Sequence, residues 1–352
     1  MRPELSQLNK KQFKEEMKRR DEEMKHSGKE NSIGMKRFGA AYMKKRAGQF
    51  IYALFRAFLI IGLSYIVLYP IIIMLSKSFS EDYIKSATTV WIPSQIGMNN
   101  YEKAMEILKY TDNLWETIKL SLGGALLQVV ASALVGYGFA RFKFKGRGIL
   151  FAIVILTMIV PPQTYLISTF ILFRKFDFFG ILKIASLIAG KDLTLNLIGT
   201  TWTMWIPAAL GVGLRGGLFI YIFRQFFRGM SKELEEAAYI DGCGPFKTFL
   251  KIMVPNALSS GLVVFLFSLV WHWNDYFSVS MMYSGRAKAP LAVALMTNTA
   301  GMGTQLLGGD GDVNQAYITN AACALVILPL LLVFVVAQRF FIESMDKVGI
   351  KG

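Results

Sequence analysis

The chain has 352 residues, 53% hydrophobic and 18% charged, with 27 Phe and a formal net charge of +15. So much apolar side chain exceeds what a soluble domain of this length hides, which excludes an ordinary water-soluble globule and points to an all-α polytopic membrane protein. The positive balance brings no nucleic-acid module with it: the cations lie between apolar runs and gather at the N-terminus, the pattern of inward-facing loops.

Residues 1–49 carry fourteen Lys or Arg against seven Asp or Glu. Their run KKQFKEEMKRRDEEMKH pairs charges at helical spacing but has almost nothing to bury, so it reads as a basic cytoplasmic tail, partly helical or disordered. The apolar run 50–75 meets the ~20 residues needed to cross hydrocarbon and is too long for a cleaved signal core. Residues 76–115 mix both charge signs with Pro93, Gly97 and Asn99-Asn100 and read as an external loop. A second span, 118–139, is rich in small residues such as Gly123, Gly124, Ala131, Ala133 and Gly136, which let helices approach closely. It ends in RFKFKGRG, a basic stretch without an acid that marks a short cytoplasmic loop.

The third span, 149–173, contains Pro161-Pro162-Gln163, which removes two backbone donors and predicts a kink near its middle. Residues 174–205 read as a second external region, with Trp202 and Trp205 at the membrane interface. Pro207 suits a first helical turn and opens a fourth span, 207–227. A polar island, 231–256, separates it from a fifth span, 258–283. An external segment, 284–317, and a sixth span, 318–341, lead to a short tail, 342–352. With Lys119, Arg224 and Arg339 at span ends counted with their adjoining loops, this topology places 26 Lys or Arg inside and eleven outside, so six spans with both ends cytoplasmic satisfy the positive-inside rule.

Ionisable groups within the spans are few: Arg56, Arg215, His272 and Asp275. Arg215 follows Pro207 by eight positions, about 12 Å into the membrane at helical rise, where a charge needs water or a partner. It either pairs with another subunit, snorkels outward, or lines a cavity where it favours an anionic group such as a uronic acid. Trp271, Trp273, Asn274, Asp275 and Tyr276 form the most aromatic and polar cluster inside a span. Aromatic faces stack on sugar rings and carboxylates or amides bind hydroxyls, which suits a sugar path; Trp and Tyr also serve as interfacial anchors. Gln163 and Tyr165, beside the kink, are further candidates. Gly301, Gly303, Gly308 and Gly309 make the external segment a flexible, exposed connector.

Cys243 and Cys323 are 80 positions apart and read as free thiols, with no metal site. The phosphate-loop pattern Gly-x-x-x-x-Gly-Lys-[Ser/Thr] is absent; AGKD from Ala189 and GCGPFKT from Gly242 each lack required positions. If the chain moves a solute across the membrane, the energy comes from a separate ATPase or from an ion gradient. A gradient-driven secondary transporter calls for intramembrane ionisable groups and often inverted repeats, and no convincing repeat is visible. An intramembrane enzyme is the weakest class, with two His and no paired catalytic set.

The island, SKELEEAAYIDGCGPFKTFLKIMVPN, reads as helix, turn, helix. Ser231 is expected to cap a first helix whose early acids suit the dipole. Gly242 and Gly244 bracket the turn, and Pro245 opens a second helix with Phe246, Phe249 and Ile252 on one face. Glu236-Ala237-Ala238, then Gly242, then Ile252-Met253-Val254-Pro255 resemble the EAA loop of permease subunits of bacterial ABC importers, with Val254 where that pattern usually has Leu. LWETIKLSLGGALLQVVASALVGYGFARFKFKGRG, MIVPPQTYLISTFILFRKF, FSLVWHWNDYF and the ending QRFFIES through VGIKG look like the sugar-importer branch, similar to the second membrane subunit of maltose-type importers. The likeness runs from about Tyr65 to the C-terminus. The basic tail, residues 177–205 and the glycine-rich external segment are not matched in detail.

The resemblance implies a type I importer subunit in the bacterial cytoplasmic membrane, with no catalysis and no cofactor of its own. Its implied partners are a second, homologous permease, two cytoplasmic ATPase domains that hold ATP and magnesium, and an extracellular or lipid-anchored binding protein that delivers a carbohydrate. The same resemblance assigns ATPase coupling to Glu236, Ala237, Ala238, Asp241, Gly242, Phe246, Ile252 and Pro255, and contact with the binding protein to the external glycines.

Overall fold

The computed structural model describes residues 10–27, 32–81, 91–93, 95–178, 180–283, 288–305 and 311–349. It divides into two units, residues 1–73 and 74–352. In the first, α1 (Lys10–Ser27) carries the pairs Glu16–Arg20 at 3.1 Å and Arg19–Glu23 at 3.4 Å; such i,i+4 pairs support a helix that has little apolar surface to bury. α2 (Ser32–Phe79) runs unbroken from the basic tail into the apolar run. Its membrane-length stretch is Ala47–Phe79, and no residue of its apolar window is buried. The expected span 50–75 is therefore the middle of a longer helix.

In the second unit, the expected loop 76–115 is largely built. α3 (Asn99–Leu108) ends at Lys109, whose left-handed backbone (φ 45°) turns the chain into α4 (Tyr110–Arg141). Asn100 donates to the carbonyls of Ser80 at 2.8 Å and Ser78 at 3.2 Å, and Asn113 donates to that of Leu108 at 2.7 Å. Asparagines that signal a loop in sequence here satisfy buried backbone oxygens, which lets the segment pack.

α4 is the hub, packed against α8 (Trp202–Ala209), α9 (Gly216–Gly229) and α13 (Leu258–Asn274). Its small residues permit this. A Cβ on Gly136 would stand 2.7 Å from the Cβ of Phe223 and 3.0 Å from the amide nitrogen of Arg224, so only glycine allows the α4–α9 approach. Beside it, Tyr137, Phe219, Phe223, Phe227, Phe249 and Met253 form one buried cluster.

The expected third, fourth and fifth spans are each interrupted. The third is α5 (Arg147–Ile159), a 3₁₀ turn (Pro162–Thr164) and α6 (Leu166–Arg174). Two successive prolines break the helix outright where a kink was expected, because Val160 and Pro161 are held extended. Pro207 does not open a helix over 207–227; it lies near the end of α8, and α9 begins at Gly216. The region before it, expected as an external loop, also contains α7 (Ile181–Ala189). The fifth segment divides at Asp275 into α13 and α14 (Tyr276–Met282). The external connector is helical over α15 (Leu291–Gln305) and the start of α16 (Gly311–Gly349). Among the described residues three helices are long and apolar enough to cross a membrane, Ala47–Phe79, Tyr110–Arg141 and Gln315–Arg339, or four if the bent pair before and after Ala257 counts as one.

Candidate functional site

Three of these interruptions meet at one cavity of about 360 Å³. The α5–α6 break contributes Gln163, the α8–α9 reversal contributes Leu214 and Arg215, and the α13–α14 break contributes Asp275, Phe277 and Ser278. Each break has a local cause. Proline stops α5; Gly211 (φ 75°) and Arg215 (φ 58°) take left-handed backbone to reverse the chain; and the Asp275 carboxylate accepts from the amide of Ser278 at 3.1 Å, capping α14. Irregular backbone at membrane depth survives where it is enclosed by protein or lines a polar cavity, so the convergence is a physical requirement as well as an opportunity.

Arg215 is therefore not part-way along a helix, as its distance from Pro207 implied. It is the N-cap residue of α9, at the positive end of that helix, and its guanidinium lies 5.5 Å from the Trp271 ring centroid. Among the described residues no carboxylate pairs with it, although Asp275 lines the same cavity. One wall thus offers a cation reinforced by a helix dipole, and another offers an acceptor, with Gln163 between apolar surfaces. Tyr165 lies within electrostatic reach of both charges.

The rest of the aromatic cluster points elsewhere. Trp273 is buried and donates to the carbonyl of Val326 at 3.1 Å, which makes it a packing residue against α16. Asn274 is exposed and bonds back to Val270 at 2.9 Å; Tyr276 packs on Phe277 and the cluster of Leu120 and Phe173. His272 is buried with Nδ1 2.8 Å from the Ser268 carbonyl oxygen, its ring against Gly124 of α4. Of residues 271–276, Asp275 lines the cavity and Trp271 packs against Arg215, which lines it too.

The island is a second candidate site. The N-cap of α10 (Glu233–Ile240) is Lys232 and not the expected Ser231, which lies one position earlier and whose Oγ accepts from the amide of Glu233 at 3.2 Å. Gly242 turns with φ 76°, whereas Gly244 has φ −74° and needs no glycine. α11 (Pro245–Thr248) runs into a π-helical turn (Phe249–Met253), then α12 (Val254–Asn256), and the chain bends by 77° into α13. The wider π turn changes the expected face: Phe249, Met253 and Ala257 are buried, Ile252 is half-buried and Phe246 is 67% exposed. Glu236, Ala237, Asp241, Gly242 and Pro255 lie on the exposed side, while Ala238 is buried.

Residues 128–347, well over half of the chain, match the family described as binding-protein-dependent transport system inner membrane component. The chain belongs to this family. Among curated relatives of this inner membrane component, an arabinooligosaccharides transport system permease of Halalkalibacterium halodurans is 24% identical over 82% of this chain and 93% of its own length. A polygalacturonan/rhamnogalacturonan transport system permease of Bacillus subtilis is 24% identical over 80% and 92%. The fold is that of a chain in the crystal structure of a bacterial ABC transporter involved in import of the acidic polysaccharide alginate, with a TM-score of 0.61, 19% identity and coverage of 84% of this chain and 98% of that one.

In this inner membrane component, sequence reasoning overlooked Glu235. It selected the neighbouring Glu236, yet Glu235 is 7% exposed, accepts from the Tyr137 hydroxyl at 2.8 Å and pairs with Arg141 at 3.2 Å. Arg141 also donates to the Met230 carbonyl at 2.9 Å. The available signal was the third residue of the run Glu233-Leu234-Glu235-Glu236 falling on the same helix face as Ala238, three positions on. Of the external glycines, Gly301 and Gly303 lie on the backbone of α15, and Gly308 and Gly309 lie outside the described residues.

Proposed function

We propose that this chain is one permease subunit of an ATP-driven carbohydrate importer. It spans the membrane six times with both termini cytoplasmic, the interrupted segments α5–α6, α8–α9 and α13–α14 each forming a broken span. A second, homologous permease completes the path, a binding protein delivers the sugar outside, and two ATPase domains carrying ATP and magnesium dock on the island. The exposed edge of Glu236, Ala237, Asp241 and Phe246 is the docking face, and Ile240, 86% exposed beside it, adds apolar surface for a partner cleft. The buried side, through Glu235 and Phe249, ties docking to α4.

The convergence of Arg215, Asp275 and Gln163 on one cavity carries the substrate reading. A sugar offers hydroxyls to Asp275 and Gln163 and an apolar face to Trp271. A uronic acid adds a carboxylate, which suits Arg215 at a helix N-terminus. The polygalacturonan and alginate systems among the similar proteins support an acidic oligosaccharide.

The test is uptake by proteoliposomes holding the chain with its partner subunits and loaded binding protein. Uptake of a galacturonate oligomer is expected to require ATP. Arg215→Gln is expected to cut it about tenfold, the effect of one lost charged hydrogen bond, with less change for a neutral oligomer. Equal effects on both substrates would remove the acidic preference, and ATP hydrolysis that never responds to loaded binding protein would remove the importer.

A further inference from the structure

A second group of arginines lies outside the cavity and the island's contacts. Between Glu116 and Asp177, and again between Asp192 and Glu233, the chain contains no Asp or Glu. Arg147, Arg224 and Arg228 lie in these stretches, and Arg147 and Arg228 each act electrostatically on Arg224. Among the described residues none has a carboxylate within ion-pair distance.

Two of the three are held in place. The Arg224 guanidinium carbon lies 3.7 Å from the Phe151 ring centroid, and Phe151 is itself stacked on Tyr221 and edge-on to Phe139. Its Nε is buried with no acceptor. Arg147 donates to the carbonyls of Phe142 at 3.1 Å and Ala140 at 3.4 Å, fixing it at the C-terminus of α4. Arg228 is one turn beyond Arg224 and exposed. Arg147 and Arg228 therefore both repel Arg224, and a positive-inside count alone asks only that they be on one side. An anion with several oxygens relieves the repulsion and supplies an acceptor, and guanidinium matches phosphate well.

The neighbouring surface identifies the kind of anion. α5 has no buried residue, and Ile149, Ile153 and Leu156 on one of its faces are 71%, 51% and 57% exposed. Its 13 residues rise about 20 Å, enough to line one leaflet of hydrocarbon. A basic cluster at the foot of an apolar ladder of that length complements a molecule with an anionic head and long acyl chains; a free phosphate or a sugar acid uses only the first half.

We propose that Arg147, Arg224 and Arg228 bind the phosphate headgroup of an anionic phospholipid whose acyl chains lie along α5. The topology proposed above places it in the inner leaflet; the binding itself does not depend on that assignment.

The test uses the full chain purified with the subunits it assembles with, in nanodiscs of phosphatidylcholine containing graded phosphatidylglycerol. Native mass spectrometry of lipid retained on release is expected to show phosphatidylglycerol enriched about tenfold over phosphatidylcholine, and Arg224→Gln with Arg228→Gln is expected to erase that enrichment. The wild-type measurement needs no variant: retention of both lipids in their bulk ratio overturns the proposal, as does unchanged enrichment in a folded variant. Displacement of the lipid by inorganic phosphate or a galacturonate oligomer would make this a free-anion site and also overturn it. So would a photo-crosslinker at Ile153 that captures a protein subunit in place of lipid. Neither ATP nor sugar enters the readout, so its failure leaves the importer proposal standing.

Discussion

The guanidinium of Arg141 lies 3.2 Å from the carboxylate of Glu235, and their side chains are only 7% and 10% exposed. This pair joins the last turn of α4 to the first helix of the island, with the Tyr137 hydroxyl on the same carboxylate. The ring of Tyr137 in turn packs on Phe227 at 5.5 Å and Phe249 at 4.9 Å. A displacement of the island therefore meets the helix that packs on α8, α9 and α13 without passing through a flexible linker.

Removing one partner of such a pair leaves a buried charge uncompensated. Glu235→Ala or Arg141→Met alone is expected to destabilise the protein by roughly 3–5 kcal/mol. The double variant Glu235→Leu with Arg141→Met is expected to recover most of that loss, since two apolar side chains replace two charges. A double-mutant cycle on thermal unfolding of the purified complex measures the coupling, and additive losses would assign the stability to other contacts. Transport by the stable double variant then reports whether the pair matters for coupling beyond holding the loop in place.

The island's two glycines separate by conformation. Gly242 occupies the left-handed region, where a side chain costs about 1–2 kcal/mol, and Gly244 does not. Gly242→Leu is expected to insert normally while losing transport and binding-protein-stimulated ATP hydrolysis; Gly244→Ala is expected to keep both. Transport unchanged in Gly242→Leu would sink the coupling role of the turn.

Gly136 and Gly138, two residues apart, face different surroundings. A Cβ on Gly136 meets Phe223 and the backbone of Arg224, while one on Gly138 meets nothing within 4 Å. Gly136→Ala is expected to cost about 1–3 kcal/mol by forcing α4 and α9 apart, and Gly138→Ala to stabilise by up to about 1 kcal/mol through helix propensity. Thermal unfolding of the two variants, compared in one detergent, reads the difference directly.

Much of the membrane character was legible because apolar runs and clustered cations are long-range compositional signals, and α2, α4 and α16 carry the longest apolar runs. The interruptions were not. Pro161-Pro162 marked its own break, but the reversal before α9 depends on Arg215 taking a conformation that no local rule assigns to arginine. Pro207 misled for a related reason: a proline tolerated inside α8 reads in sequence as a helix start. In the island the EAA pattern included the exposed Glu236, Ala237, Gly242 and Pro255 together with the buried Ala238 and Met253, whereas the choice between Glu235 and Glu236 as the buried acid needed the position of α4. The π turn, which exchanges Ile252 for Met253 in the core, has no sequence signal short of the packing itself.

Asp275 offers a final separation between architecture and selectivity. Its carboxylate caps α14 through the Ser278 amide and faces the cavity shared with Arg215. Asparagine caps nearly as well as aspartate, so Asp275→Asn is expected to preserve folding, whereas Asp275→Ala is expected to lose about 1 kcal/mol with the cap. The Asn variant also removes the cavity's negative charge and leaves Arg215 unopposed. If the cavity carries an acidic oligosaccharide, the apparent KM for a galacturonate oligomer falls in Asp275→Asn relative to a neutral oligomer of the same length. A rise in both KM values together would mean that Asp275 serves hydroxyl binding common to all sugars, and no change in either would place the substrate path on the partner subunit.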